Sequence, residues 1–471
     1  MKWNLENIAT WTEGKILSQH AESFDFVGTD TRSNLSDKLF IALQGENYDA
    51  HDFLDQAFQK GAKALLIHRL EPKFEHLKSK ISIIQVANTL QALQDFSSHY
   101  RKSVKTKIIG ITGSNGKTTT KEFTAQILNS FKKTHYNQGS FNNHWGVPLT
   151  LLQIEADAEF AVIEMGMNHA GEIKKLVEIA DPDVVVCTMV GTAHLEYFGT
   201  QKKIAEAKQE IYLYSRPDTV RIFNQDQDLT FDMMYPAAKA FPASRMLSFS
   251  DRNNKADVYL HIDELSPQHI KVRGVIAGVE GQATVPVFGK QNLVNLMAAC
   301  TTAYACQMPP EKIWQALSEC RTTWGRNQFI KTKSGAEILF DGYNANPDSM
   351  VALIGNIPLL QTSGRKIGIF GQMKELGIDS AEAHRKIGLA TGKAGFSEIY
   401  FIGEDCKFFA EGVFESQFIG STFIQSEFST DLGEKLQCSL QANDIVVIKG
   451  SRGAATERFV DFCEPLNWTK K

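Results

Sequence analysis

With 471 residues, 43% of them apolar and 22% charged, the chain has an ordinary soluble composition that excludes collagen-like, coiled-coil and disordered classes and leaves room for about three domains. Its 50 basic and 54 acidic residues give a formal charge of −4, too small and of the wrong sign for a protein that neutralises nucleic-acid phosphates. No leader-like apolar core follows the N-terminus, no apolar run approaches the ~20 residues of a bilayer span, and the scattered cysteines form no CxxC pair, so reduced thiols, no membrane span and a cytoplasmic location are expected.

In chain order, residues 39–44 (LFIALQ) are predicted as a strand, 51–62 (HDFLDQAFQKGA) as an amphipathic helix and 63–68 (KALLIH) as a second strand, followed by a helix over 89–99. The basic stretch 100–107 (YRKSVKTK) marks a boundary. Beyond it come the strand 107–112 (KIIGIT), a helix over 117–131, the strand 160–165 (FAVIEM), a helix over 171–180 and the strand 184–190 (VVVCTMV). Strands that are apolar throughout and separated by helices imply a parallel sheet covered on both faces. Residues 245–288 alternate differently and are expected to add antiparallel strands before a helix over 292–304. A second boundary falls at 321–326 (RTTWGR), after which 337–343, 366–373, 398–405 and 444–450 repeat the strand-then-helix theme. The fold class is α/β.

The most informative segment runs Gly110-Ile-Thr112-Gly113-Ser114-Asn115-Gly116-Lys117-Thr118-Thr119, between a strand and a helix. Successive backbone N–H groups and a helix N-terminus can surround phosphate oxygens only where side chains leave room. Lys117 would reach the terminal phosphates and Thr118 would coordinate Mg²⁺. The glycine spacing is a variant, since Ile111 stands where the usual pattern has glycine. Such a site needs an acidic group at a neighbouring strand end; Glu164 ends FAVIE, either as that group or as a solvated carboxylate. His194, after the next strand, reads by itself as a structural histidine. Lys208 shares a helical face with Ile204 and Ile211, so it either snorkels outward or has an unusual role.

Together the motifs resemble the Mur ligase family over nearly the whole chain. The resemblance rests on TGSNGKTT (112–119), NNHWGVPLTLL (142–152), EMG (164–166), GTAHLEYFG (191–199), AKQEI (207–211), GKQNLVNLMAA (289–299), WGR (324–326), DGYNANPDSM (341–350) and KGSRG (449–453). It implies three domains: a small α/β UDP-substrate domain (1–104), a central P-loop parallel-sheet ATP domain (105–320) and a C-terminal Rossmann-like acceptor domain (321–471). It also implies that Thr118, Glu164, His194 and Lys208 serve the metal, with two Mg²⁺ ions and Lys208 carried as a carbamate. Free lysine has a pKa of ~10.4 and repels a cation, whereas its carbamate is an anion. Lys117, Lys208 and His194 are the implied catalytic residues, and Asn295, Arg326 and Asp341 join the loop in holding ATP.

DGYNANPDSM and GQMKELG (371–377) look like the family branch that adds D-alanyl-D-alanine to a UDP-N-acetylmuramoyl-tripeptide, with Gln372 where that branch usually has Asp. The implied substrate contacts are Asn142, Asn143, Tyr343, Asn344 and Asn346, with Asp30, Thr31 and Arg32 at the uridine end. Asn346 before Pro347 equally suits a helix N-cap, and Asp30 and Thr31 suit a polar turn. The implied reaction passes through an acyl phosphate, carried out by a monomer whose third domain closes on the second. Three rivals remain: another amide ligase of the superfamily, such as a folylpolyglutamate synthase or a different Mur enzyme, a regulatory P-loop ATPase that makes no product, and a non-catalytic cell-wall sensor that retains nucleotide binding. The second needs no inward-facing lysine.

Overall fold

The computed structural model describes residues 3–137 and 139–470. Contacts divide the chain into two compact units, one of Met1–Ile111, Lys132–Val185 and Glu210–Thr219, the other of Thr112–Phe131, Val186–Gln209 and Val220–Lys471.

In the first unit the strands Lys15–Ser18, Ser82–Gln85, Ala64–Ile67, Lys38–Ile41 and Phe26–Gly28 form a sheet in that order, antiparallel at the first pairing and parallel thereafter. Leu35, Phe40, Leu54, Leu65 and Ile83 build the core on it. The segment expected as one helix over 51–62 divides into a 3-10 turn, Ala50–Phe53, and the α-helix Leu54–Gln59. Asp49 caps the turn by accepting from the His51 amide. The helix expected over 89–99 runs further, from Thr89 to Ser103. Arg101 is buried there, donating from Nε to the Ala180 carbonyl (3.0 Å) and from Nη2 to Asp183 (3.0 Å), while the Tyr100 hydroxyl donates to the Ile154 carbonyl (2.6 Å). These bonds satisfy polar groups that sequence alone assigns to solvent. The strand Lys107–Thr112 pairs in parallel with Phe160–Glu164, which pairs in parallel with Thr134–Tyr136.

In the second unit Val220–Asn224, Met246–Ser250 and Val258–Leu265 lie parallel. Only from Val258 onward does the chain turn antiparallel, through Ile270–Ile276 and Val279–Val285, so the change of pattern expected at 245 comes one strand later. The helices Lys117–Asn129 and Asn292–Ala305 pack on each other. A six-stranded sheet follows, ordered Gln328–Lys331, Glu337–Phe340, Ile445–Lys449, Lys366–Gly371, Glu398–Ile402, Ser421–Gln425, antiparallel only at the first pairing. Its inner strands are apolar on both faces: Leu339, Phe370 and Val447 face a core with Met350, Ile387 and Phe409, and Ile338, Ile369 and Ile448 face one with Leu436 and Phe459. Loops at the carboxyl ends of these strands carry Asp341, Gln372 and Ser451, the edge of an α/β sheet where ligands bind.

Five cysteines are buried, Cys406 is intermediate and Cys438 exposed, with no disulfide among them. Among the described residues no helix is long and apolar enough to cross a membrane.

Candidate active site

The loop from Thr112 to Thr119 closes on itself as its glycines require. Gly113 (φ 147°) and Gly116 (φ 81°) occupy left-handed backbone. A Cβ at Gly113 would stand 2.0 Å from Thr188 Oγ1, and one at Gly116 2.2 Å from Asn295 Oδ1. The Ser114 amide donates to the Met189 carbonyl (2.8 Å), and Thr188 Oγ1 donates to the Asn115 carbonyl (2.6 Å). No side chain caps the helix Lys117–Asn129, which leaves its positive end facing the loop. Lys117 arches back, its Nζ donating to the Gly113 carbonyl at 2.8 Å. Asn295 accepts from Thr120 Oγ1 at 3.2 Å.

Lys208 lies on the helix Gln201–Leu213 and is 1% exposed, which excludes the snorkelling alternative. Burial, and then the neighbouring Lys117 charge, push its amine down to about 7. Cys187 lies close enough to act on it, with a thiol pushed up to about 11 by burial. Burial of this kind favours the neutral amine over the ammonium, the form in which a lysine can act as a nucleophile.

Arg326 reaches the loop, with Nη2 3.4 Å from Thr118 Oγ1, and its guanidinium stacks over the Tyr343 ring at 4.5 Å. Its Nε is buried without a partner, as is Thr112 Oγ1. Such unpaired polar atoms suit a site built for a polar ligand. Asp341 is set by Lys449, the first residue of the KGSRG motif. Lys449 Nζ donates to Asp341 Oδ2 (2.6 Å) and to the Asn344 carbonyl (3.0 Å), while the Asn327 amide donates to Asp341 Oδ1 (3.1 Å). Burial pushes the Lys449 amine below its ordinary value even against the pull of Asp341.

The segment around Asn346 serves two purposes. Its side chain forms a capping box with Ser349 that starts the helix Pro347–Ile354. The same side chain donates from Nδ2 to Asn115 Oδ1 (2.7 Å) and accepts from Asn115 Nδ2 (3.3 Å). Two residues on, Asp348 Oδ2 accepts from the Thr192 amide (2.7 Å) and hydroxyl (2.9 Å). Neither Asp348 nor Thr192 was singled out from sequence. His194 Nδ1 stands 2.7 Å from Glu375 Oε2, an ion-pair contact in which the ring N–H is not aligned as a hydrogen bond. His194 holds the Glu375 carboxyl below its ordinary value.

In the first unit Glu164 is 1% exposed and accepts from Asn142 Nδ2 at 2.7 Å, so it is a buried carboxylate and not a solvated strand end. Asn143 Oδ1 accepts from the Gly146 amide at 2.9 Å. Asp30 and Arg32 pair with each other at 2.6 Å on an exposed turn, and Thr31 reaches Gln56 at 3.3 Å. No group of three or more His, Cys, Asp or Glu side chains forms a metal cage among the described residues. Mg²⁺ needs none, since it keeps waters and takes phosphate oxygens beside one or two protein donors. In the second unit the Thr118 hydroxyl is a donor of the right hardness, and in the first unit the buried Glu164 carboxylate is another.

Comparison with known proteins agrees with this chemistry. Family models for the Mur ligase family catalytic domain, the Mur ligase middle domain and the Mur ligase glutamate ligase domain match residues 23–101, 111–303 and 325–452. The chain is similar to the UDP-N-acetylmuramoyl-tripeptide–D-alanyl-D-alanine ligase of Bacillus subtilis (strain 168), at 33% identity over 98% of each chain. It is similar to that of Escherichia coli (strain K12) at 31% identity over 93% of each. Among solved structures, MurF from Acinetobacter baumannii superposes with a TM-score of 0.86 at 29% identity over 98% of both chains. A folylpolyglutamate synthase from Mycobacterium tuberculosis, at 15% identity and a TM-score of 0.59, shares the fold alone. With a glycine-crowded phosphate loop, an inward lysine beside it and relatives matched end to end, the chain belongs to the Mur ligase family.

Proposed function

We propose that the protein is an ATP-dependent ligase that joins D-alanyl-D-alanine to the terminal carboxylate of a UDP-N-acetylmuramoyl-tripeptide, in the synthesis of peptidoglycan precursors. The observation that carries this reading is the 33% identity over 98% of both chains to a relative of that name. A carboxylate in water does not form an amide unaided; its oxygen must become a leaving group. The γ-phosphoryl of ATP passes to the tripeptide carboxylate, giving an acyl phosphate and ADP. The dipeptide amine attacks that carbonyl, loses a proton, and phosphate leaves as the tetrahedral intermediate collapses.

Lys117, at the mouth of the loop, neutralises charge on the transferring phosphoryl group. Asn295, Arg326 and Asp341 hold the nucleotide, with Tyr343 stacked beneath the Arg326 guanidinium. Asn142 and Asn143 serve the reacting carboxylate and its metal, Tyr343, Asn344 and Asn346 the acceptor side, and Asp30, Thr31 and Arg32 the uridine end. Thr118, Glu164 and His194 would hold Mg²⁺, which when bound supplies positive charge to the phosphoryl oxygens. Lys208 joins them as a carbamate: its neutral amine, favoured by a pKa of about 7, adds to CO₂ and releases a proton. The division of labour is 1–104 for UDP substrate, 105–320 for ATP and 321–471 for acceptor, within a cytoplasmic monomer.

The test is phosphate release by purified protein with ATP, Mg²⁺ and UDP-N-acetylmuramoyl-tripeptide, offering D-alanyl-D-alanine or single amino acids. Release that requires the dipeptide is expected. Release equal for all acceptors, or none with the dipeptide, overturns the assignment.

A further inference from the structure

His194 and Glu375 meet under conditions that neither residue would adopt without cause. Both are non-glycine residues in left-handed backbone, at φ 67° and φ 63°. Such conformations persist only where the surroundings enforce them, and they gather at functional sites. Their turns also touch through the backbone: the Glu196 amide donates to the Glu375 carbonyl at 3.4 Å, and a Cβ on Gly377 would stand 3.3 Å from Glu196 Cγ.

The loop that carries Glu375 is anchored from behind. The Met373 amide donates to His384 Nε2 (3.0 Å), and His384, 0% exposed, donates from Nδ1 to the Ser380 carbonyl (2.8 Å). Gln372 Nε2 donates to Asp405 Oδ2 (3.1 Å), and Gln372 Oε1 accepts from the Glu404 amide (2.6 Å). Gln372, the residue that departs from the branch's usual Asp, therefore ties two strand-end loops together with an amide donor that Asp lacks. The result is a rigid base under an exposed tip whose one ionic contact among the described residues is His194.

We propose that Glu375 is a positioning residue for His194: its carboxylate fixes the ring's orientation and keeps the proton on Nδ1, leaving the Nε2 lone pair for a divalent cation. An unprotonated Nδ1 would set a lone pair against a carboxylate oxygen at 2.7 Å, a repulsive contact, so the tautomer follows from the geometry. This rests on the proposed ligase reading, in which His194 serves Mg²⁺.

The test compares wild type, Glu375→Ala, Glu375→Gln, His194→Ala and the Glu375→Ala/His194→Ala double variant. Long-range ¹⁵N–¹H spectra of ¹⁵N-histidine protein, without substrate and with the His194 signal assigned by His194→Ala, read the tautomer. His194 should be Nδ1–H in wild type and in Glu375→Gln, whose amide oxygen still sets a lone pair against that nitrogen, and should lose that preference in Glu375→Ala. Steady-state turnover should fall about 10- to 100-fold in kcat for Glu375→Ala, with the KM values for ATP, the UDP-tripeptide and the dipeptide within about twofold, and Glu375→Gln should recover most of it. The double variant should be no slower than His194→Ala. An unchanged tautomer in Glu375→Ala, or losses that multiply in the double variant, overturns the proposal. A wild type that shows the Nδ1–H tautomer but makes no product overturns the ligase reading and leaves the positioning intact.

Discussion

A lysine with 1% exposure and a second lysine among the charges acting on it is costly to keep protonated, and chemistry that removes its positive charge turns that cost into a use. Lys208→Ala and Lys208→Arg should each lower kcat more than about 100-fold, because neither variant can present a carbamate. Added bicarbonate should leave both unrescued and should restore wild type that has lost activity in CO₂-depleted buffer; near-normal turnover in Lys208→Ala would dismiss the carbamate. The helical face of this lysine was legible in sequence from its spacing to Ile204 and Ile211, since three and four residues share a face, but that spacing equally suits a lysine that snorkels outward. Lys449 was not legible in the same way. It closes a strand of five buried residues, where a terminal lysine ordinarily turns to solvent, and only the fold brings Asp341 within 2.6 Å of it.

The helix Pro347–Ile354 shows why an element's start can carry two messages. Asn-Pro before an apolar run reads as a cap, and the cap exists; the bonds of the same amide to Asn115 join residues 231 apart in sequence, which no local pattern encodes. The two roles separate by substitution. Asn346→Ala should cost about 1 kcal/mol of stability for the lost cap and also lower kcat. Asn346→Ser keeps an N-cap oxygen but cannot reach Asn115, so denaturant unfolding should return to within about 0.5 kcal/mol of wild type while kcat stays low. Equal recovery of both would make the cap the whole role. Elsewhere the apolar strands were readable because burial on both faces leaves a continuous hydrophobic run. The edge strand Ser421–Gln425 was not, since its residues are exposed or half-buried and carry no such run. The helix Thr89–Ser103 outlasted its expected end because Arg101 finds carbonyl partners that charge counting cannot see.

Taken whole, the molecule carries histidines whose burial opposes protonation. His51, His135 and His384 are all lowered from 6.5 by desolvation. The unfolded chain then binds more protons than the native state as pH falls below that value, so stability present at neutral pH is lost on acidification. Denaturant midpoints should fall from about pH 6.5 downward. His135→Leu, which removes a ring whose Nε2 has no partner, should flatten that slope; a slope unchanged by the variant would exclude His135 as a source. The contact grouping has a consequence for exchanging parts between relatives. One compact unit holds both Thr112–Phe131 and Val220–Lys471, and Gln126 bonds the backbone of Arg321 in both directions, at 3.0 and 2.7 Å. A chimaera spliced at residue 320 would thus set a foreign C-terminal segment against a native helix, across a fit made by both. Recombination that keeps this compact unit intact must carry residues 112–131 with the C-terminal third, although they lie about 200 positions upstream.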